Sequence, residues 1–144
     1  MNTAAPGRGL PLTSARYPDD HLTVTVFCNR AGAPARYIAQ RIAGFYVPAL
    51  APAAHSAAKL APAVLRSYAG DYRLDDRFTV KLSVTGDRLE TTWLGERVVM
   101  SPESETTFFE EDSDRTFRFV KDDRGTVTSL VISVPEELVL RRFP

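Results

Sequence analysis

The feature that most constrains the fold is a succession of short alternating segments running from Tyr68 to Phe143. Phe78, Val80, Leu82 and Val84 alternate with Thr79, Lys81, Ser83 and Thr85, and a period of two gives a strand one apolar and one polar face. Leu89, Thr91 and Trp93 continue one such face, and Phe117 and Phe119 do so later. Eight strands are expected, over residues 70–74, 77–85, 88–94, 97–101, 105–110, 115–121, 126–134 and 138–143. Between them stand turn residues: Asp75-Asp76, Gly86-Asp87, Gly95-Glu96, Pro102-Glu103, an acidic run ending at Asp114, residues 122–125, and Pro135-Glu136. Gly95-Glu96 suits a two-residue hairpin with glycine first. Val127 is out of phase with Leu130, Ile132 and Val134, which predicts a bulge near Thr128-Ser129. Sequential hairpins predict an antiparallel up-and-down meander, closed or nearly closed as a barrel because closure removes exposed strand edges.

The chain before this run reads differently. Residues 1–9 are rich in Gly, Pro and Ala, and are expected to be loose. Residues 12–17 and 22–28 read as two strands of a hairpin around Pro18-Asp19-Asp20, with Leu22, Val24, Val26 and Cys28 on one face. Residues 34–46 read as a helix, with Pro34 in its first turn and Val47-Pro48 ending it. Ala35, Ile38, Ala39, Ile42, Phe45 and Tyr46 make its apolar stripe. One hairpin cannot bury that stripe alone, so Ile38, Ile42 and Phe45 are expected at an interface. Residues 49–63 are dominated by Ala and Pro and read as a semi-extended linker, with a helical turn over residues 56–60. The fold class is therefore mainly β (α+β): a hairpin and helix over residues 1–47, a linker over 48–64, and the barrel over 65–144.

Charge excludes one class of partner. The chain is neutral overall, with 18 basic and 18 acidic residues. Residues 1–65 carry a net +4 and residues 66–144 a net −4. Nucleic-acid binders concentrate positive charge, since phosphate contacts dominate their affinity. The alternation of basic and aromatic residues in Arg115-Thr116-Phe117-Arg118-Phe119-Val120-Lys121 is thus read as a strand with core phenylalanines and a charged outer face. Cys28 is the single cysteine, so no internal disulfide can form. It ends a strand on the apolar side and reads as a small buried hydrophobe. No stretch has the character of a signal peptide or a membrane span, and the compartment stays open between bacterial cytoplasm and periplasm.

The ordered set Tyr68-Ala69-Gly70-Asp71-Tyr72, Gly86-Asp87-Arg88-Leu89, Pro102 with Phe108-Phe109, Phe117-Arg118-Phe119 and Asp123-Arg124-Gly125-Thr126-Val127 resembles the lipocalin-like β domain at the C-terminus of many bacterial serine β-lactamase-like hydrolases. The earlier segment, Ser14 through Val26 and then residues 38–46, is similar to the last hairpin and helix of the hydrolase domain itself. The family's chemistry rests on Ser-x-x-Lys, on Tyr-x-Asn or Ser-x-Asn, and on a Lys/His-Thr/Ser-Gly strand. The one Ser-x-x-Lys is Ser56-Ala57-Ala58-Lys59, in the linker, while Lys-Thr-Gly and His-Thr-Gly are absent and no tyrosine is followed two places on by Asn. The resemblance therefore implies the end of such an enzyme without its catalytic machinery.

Other reactive groups stand apart. His21 and His55 have no neighbours at ligand spacing and read as exposed polar residues. Asp75-Asp76, Glu110-Glu111-Asp112 and Asp122-Asp123 fall in turns, without the spacing of a calcium loop. No metal and no cofactor is expected, and no catalytic residue is assigned. The expected function is a non-catalytic accessory segment that packs on or regulates the hydrolase domain, or mediates oligomerisation through the hairpin and helix. The alternative is a module binding a small hydrophobic ligand inside the barrel, at Val80, Leu82, Trp93 and Phe117. The bulk of Phe78, Trp93, Met100, Phe109, Phe117 and Phe119 favours a filled core over an open cup. Neither nucleic acid nor membrane is an expected partner.

Overall fold

The computed structural model describes residues 12–30, 33–93, 95–134 and 136–143. The Gly/Pro/Ala-rich start and the turn positions Leu94 and Pro135 lie outside them. The chain divides into two compact units, Met1–Ala54 and His55–Pro144.

In the first unit, β1 (Leu12–Tyr17) and β2 (Leu22–Phe27) pair antiparallel, with Tyr17 opposite Leu22 and Leu12 opposite Phe27. Alternation sets the two faces. Ala15, Tyr17, Leu22, Val24 and Val26 pack toward helix α1 (Ala35–Tyr46), while Leu12 and Phe27 share the other face and are exposed. The helix presents Ala35, Ala39 and Ala43, its buried residues, with Ile42 partly buried beside them. A single 3₁₀ turn, Pro48–Leu50, follows.

Small residues let the chain fold back tightly there. A Cβ on Gly44 would stand 2.8 Å from both the Cα and the Cβ of Ala51. In an open helix Gly→Ala gains about 1 kcal/mol. At this position backbone must move instead, so Gly44→Ala is expected to destabilise the first unit by about 1–3 kcal/mol, the range for overpacking. Thermal unfolding followed by far-UV circular dichroism measures the sign, and a gain in stability would contradict the contact.

The second unit is a closed antiparallel barrel of eight strands: β3 (Gly70–Asp75), β4 (Phe78–Thr85), β5 (Arg88–Trp93), β6 (Glu96–Pro102), β7 (Thr107–Glu110), β8 (Thr116–Lys121), β9 (Val127–Val134) and β10 (Glu136–Phe143). Each strand pairs with its sequence neighbour, and β10 closes onto β3. The predicted meander and closure are thus both present. The expected bulge is present too: Val120 pairs with Ser129 and Lys121 with Val127, so Thr128 is the extra residue. One turn is displaced from expectation. Trp93 pairs with Glu96, so the turn sits one residue earlier and Gly95 adopts φ 86° within it.

A second helix, α2 (Pro62–Tyr68), precedes the barrel. This corrects the reading of residues 49–63 as a linker with a helical turn at 56–60, which have no regular structure. Pro62 sits in the first turn of α2, where a missing N–H costs nothing. Leu65 and Tyr68, one turn apart, are both fully buried in the barrel's core with Tyr72, Leu82, Met100, Phe108, Phe119 and Leu140. The helix therefore plugs one end of the barrel, the end of the β6–β7 and β8–β9 connections. Tyr68 donates its hydroxyl to the Glu105 carbonyl at 2.6 Å, and Tyr72 donates to the Tyr68 carbonyl at 2.8 Å. The Tyr68 ring stacks on Phe119 with centroids 4.2 Å apart and meets Phe108 edge-on.

Arg142 secures the same C-terminal end of the helix. Its guanidinium donates to the carbonyls of Ser67 and Ala69, each at 2.8 Å, which satisfies acceptors that a helix C-terminus leaves orphaned. Gly70 makes room for it. With φ +145°, it adopts backbone that L-residues rarely enter, and a Cβ there would meet the Arg142 guanidinium at 3.3 Å.

Candidate functional site

Three places were expected, or emerge, as sites. The first is the barrel interior. Strand alternation brings Val80, Leu82 and Phe117 into one buried cluster, each at 2% exposure. Trp93 is partly buried against that cluster at the end away from α2, with its ring edge-on to Phe78 at 4.9 Å. Phe109, expected among the core residues, is buried at 7% exposure but lies outside that interior cluster. Phe108 pairs directly with Phe117 and fills the core, so the adjacent Phe109 must point to the outer face.

Phe109 is covered there by the segment leading into α2, the second place. The His55 ring stacks on Phe109 with centroids 4.7 Å apart and planes 11° from parallel. Its Nδ1 lies 2.9 Å from Glu103 Oε1. Three residues on, the Ala58 amide donates to the Pro102 carbonyl at 2.7 Å. His55 is thus no isolated exposed side chain, a correction to its sequence reading. It pins an extended strap across the outside of β6 and β7. Ser56 and Lys59 lie exposed in the same strap. Ser-x-x-Lys chemistry needs one helical turn to bring both groups to one face, and the strap has none.

Around the plug the charges are paired. Lys121 Nζ lies 2.6 Å from Glu105 Oε1 and over the Tyr68 ring. That hydrogen bond is the main cause of the raised Lys121 pKa and the lowered Glu105 pKa. At the opposite end, Glu110 and Arg115 pair at 2.8 Å, both mostly buried. Among the described residues no group of three or more His, Cys, Asp or Glu side chains converges on a metal-sized site. Cys28 is half-buried and forms no disulfide.

The third place is the hairpin–helix unit. Ile42 packs into its small core, Ile38 is half-buried, and Phe45 is 81% exposed. Tyr46 at 75% and Phe27 at 78% are exposed as well. The expected stripe is divided: its alanines face the hairpin, whereas Phe45 is left exposed among the described residues. No helix among the described residues is long and apolar enough to cross a membrane.

Comparison with known proteins gives one positive finding. No curated protein sequence matches the chain. A family model described as a domain of unknown function, DUF3471, matches residues 54–142. That span takes in the strap, the plug helix and the barrel almost to the end of β10, and it is more than half of the chain. On that match, this chain belongs to the DUF3471 domain family.

Proposed function

We propose that this chain is a non-catalytic accessory module of a serine β-lactamase-like hydrolase, and that its hairpin–helix unit is the docking element. The observation that carries this reading is the exposure of Phe27, Phe45 and Tyr46, each at 75% or more, on a unit whose buried core is Val24 and small alanines. A buried alanine methyl contributes about 0.8 kcal/mol, against about 1.5–3 kcal/mol for a leucine or phenylalanine. A two-stranded sheet is marginal in water without further strands or packing. A unit built this way is stabilised by whatever covers its large apolar side chains. The resemblance of Ser14–Val26 and residues 38–46 to the end of a hydrolase domain names the partner: the sheet of such a domain, or a second copy presenting the same face.

Two measurements on the full chain test this. Incubation with a chromogenic β-lactam and a p-nitrophenyl ester is expected to give no turnover above buffer; turnover lost on Ser56→Ala would overturn the non-catalytic reading. Sedimentation velocity, alone and mixed with a β-lactamase-like hydrolase domain, is expected to show association that Phe45→Asp weakens by at least tenfold. That follows because burying a large aromatic is worth more than about 1.4 kcal/mol. A monomer that ignores both the mixing and the substitution would sink the docking role.

A further inference from the structure

The β3–β4 hairpin is paired to its neighbours at one end of the barrel only. Against β10, the ladder covers Asp71, Tyr72 and Arg73 opposite Phe143, Arg142 and Arg141. Against β5, it covers Ser83, Val84 and Thr85 opposite Glu90, Leu89 and Arg88. Both sets lie toward the α2 end. The hairpin's own strands pair through Tyr72↔Val80, Arg73↔Thr79 and, past a bulge, Asp75↔Phe78, so β3 leaves the β10 ladder after Arg73 while β4 meets the β5 ladder only from Ser83 onward. Among the described residues, then, the tip of this hairpin has no lateral ladder on either side.

What holds the tip is side-chain contact. On the β5 side a hydrogen bond from Thr91 Oγ1 to the Lys81 carbonyl, 2.8 Å, is followed by the edge-to-face contact of Phe78 with Trp93. On the β10 side Leu74 and Val139 are 43% and 50% exposed, and no ladder joins their strands there. The tip is internally stiff: the Asp75 carboxylate accepts from the amides of Arg77 and Phe78 at 2.8 and 2.9 Å. A stiff hairpin between two open seams moves as one body. Its strand β4 carries Val80 and Leu82 into the same apolar cluster as Phe117.

We propose that the β3–β4 hairpin is a flap, and that its outward swing admits a small, uncharged one- or two-ring aromatic ligand between Phe78 and Trp93, at the end of the barrel opposite α2. The occupant's class follows from what it replaces. Phe78 and Trp93 meet at 72° with centroids 4.9 Å apart, and a flat ring inserted between them exchanges that contact for two of its own. The two seams fix the hinge at the helix end, where Arg73 lies 3.8 Å over the Phe143 ring. This inference does not depend on the docking role above, because it concerns the barrel alone.

Amide hydrogen exchange on the full chain, with and without millimolar indole, tests it. Amides over residues 74–82 are expected to exchange at least roughly a hundredfold faster than those of Leu130, Val131 and Ile132, as a locally opening unit does. Indole should slow residues 74–82 by roughly tenfold or more and leave residues 35–46 unchanged. Phe78→Leu, which keeps the bulk but removes the ring contact, should speed the tip by roughly threefold to tenfold. Tip amides as protected as Leu130–Ile132 would overturn the flap. Exchange that indole leaves unchanged, or slows equally throughout the chain, would overturn the ligand.

Discussion

Tyr68→Ala is expected to lower the unfolding free energy by about 4 kcal/mol, within the range for truncating a buried aromatic to alanine. Against a usual total of about 5–15 kcal/mol, that removes from about a quarter to most of the stability. The size follows from position. Tyr68 is fully buried, stacks on Phe119, meets Phe108 edge-on, and bonds the Glu105 carbonyl. Removing the ring opens a cavity in the core and removes most of what α2 contributes to it. Tyr68→Phe separates the parts: it keeps the ring but loses the hydroxyl's 2.6 Å bond to the Glu105 carbonyl and its interaction with Lys121, and should cost about 1 kcal/mol. Urea unfolding followed through Trp93, the single tryptophan, reads both. A Tyr68→Ala cost below 1 kcal/mol would mean that the helix is no part of the core.

The second large effect is at alkaline pH. Burial pushes the Tyr72 phenol up to about 12 from 10.0, although the nearby Arg142 charge works the other way. A group whose folded pKa is raised stabilises the fold below its unfolded pKa and loses that contribution as pH climbs to the folded one. The window is therefore from about pH 10 to about pH 12. At about 1.36 kcal/mol per unit, the loss reaches about 2.7 kcal/mol. Tyr72→Phe removes this term together with the hydrogen bond to the Tyr68 carbonyl, worth about 1 kcal/mol. The variant should be the less stable protein at pH 8 and the more stable one at pH 12. Urea midpoints that stay in the same order across that range would refute the assignment.

Much of the barrel was legible because strand period and turn chemistry agree along its whole length. Phe78 to Val84 alternate without a break, and the bulge at Thr128 announces itself as a phase error between Val127 and Leu130. Helix α2 was not legible. Seven residues offer one apolar repeat, Leu65 and Tyr68, and a stretch of Ala and Pro hides even that. The pair Phe108-Phe109 defeats alternation in another way. One ring must face out, and nothing local says which; the choice is made by β8, which sets Phe117 opposite Phe108. His55 was misjudged for the same reason, since its partners Glu103 and Phe109 are about fifty residues away in sequence.

In the hairpin–helix unit the periodicity found the helix, and Ala35, Ala39 and Ile42 of its stripe do face the hairpin, while Phe45 and Tyr46 stay exposed. Alanine adds little to an apolar stripe read from sequence, yet Ala35, Ala39 and Ala43 are what allow α1 to lie close on the hairpin. The large residues that dominated the pattern, Phe45 above all, are the ones left outside.

The two hydrogen bonds from Arg142 have a kinetic consequence. They join residues 75 and 73 positions apart, and the strand that carries them is also the one that closes the barrel on β3. Ring closure and seating of the plug are therefore one event, and it waits for the last strand to be made. A chain still emerging from the ribosome holds Leu65, Tyr68 and Tyr72 without their final cover until β10 arrives. Contacts this distant carry the full entropy of loop closure, so the slow step of folding waits for β10.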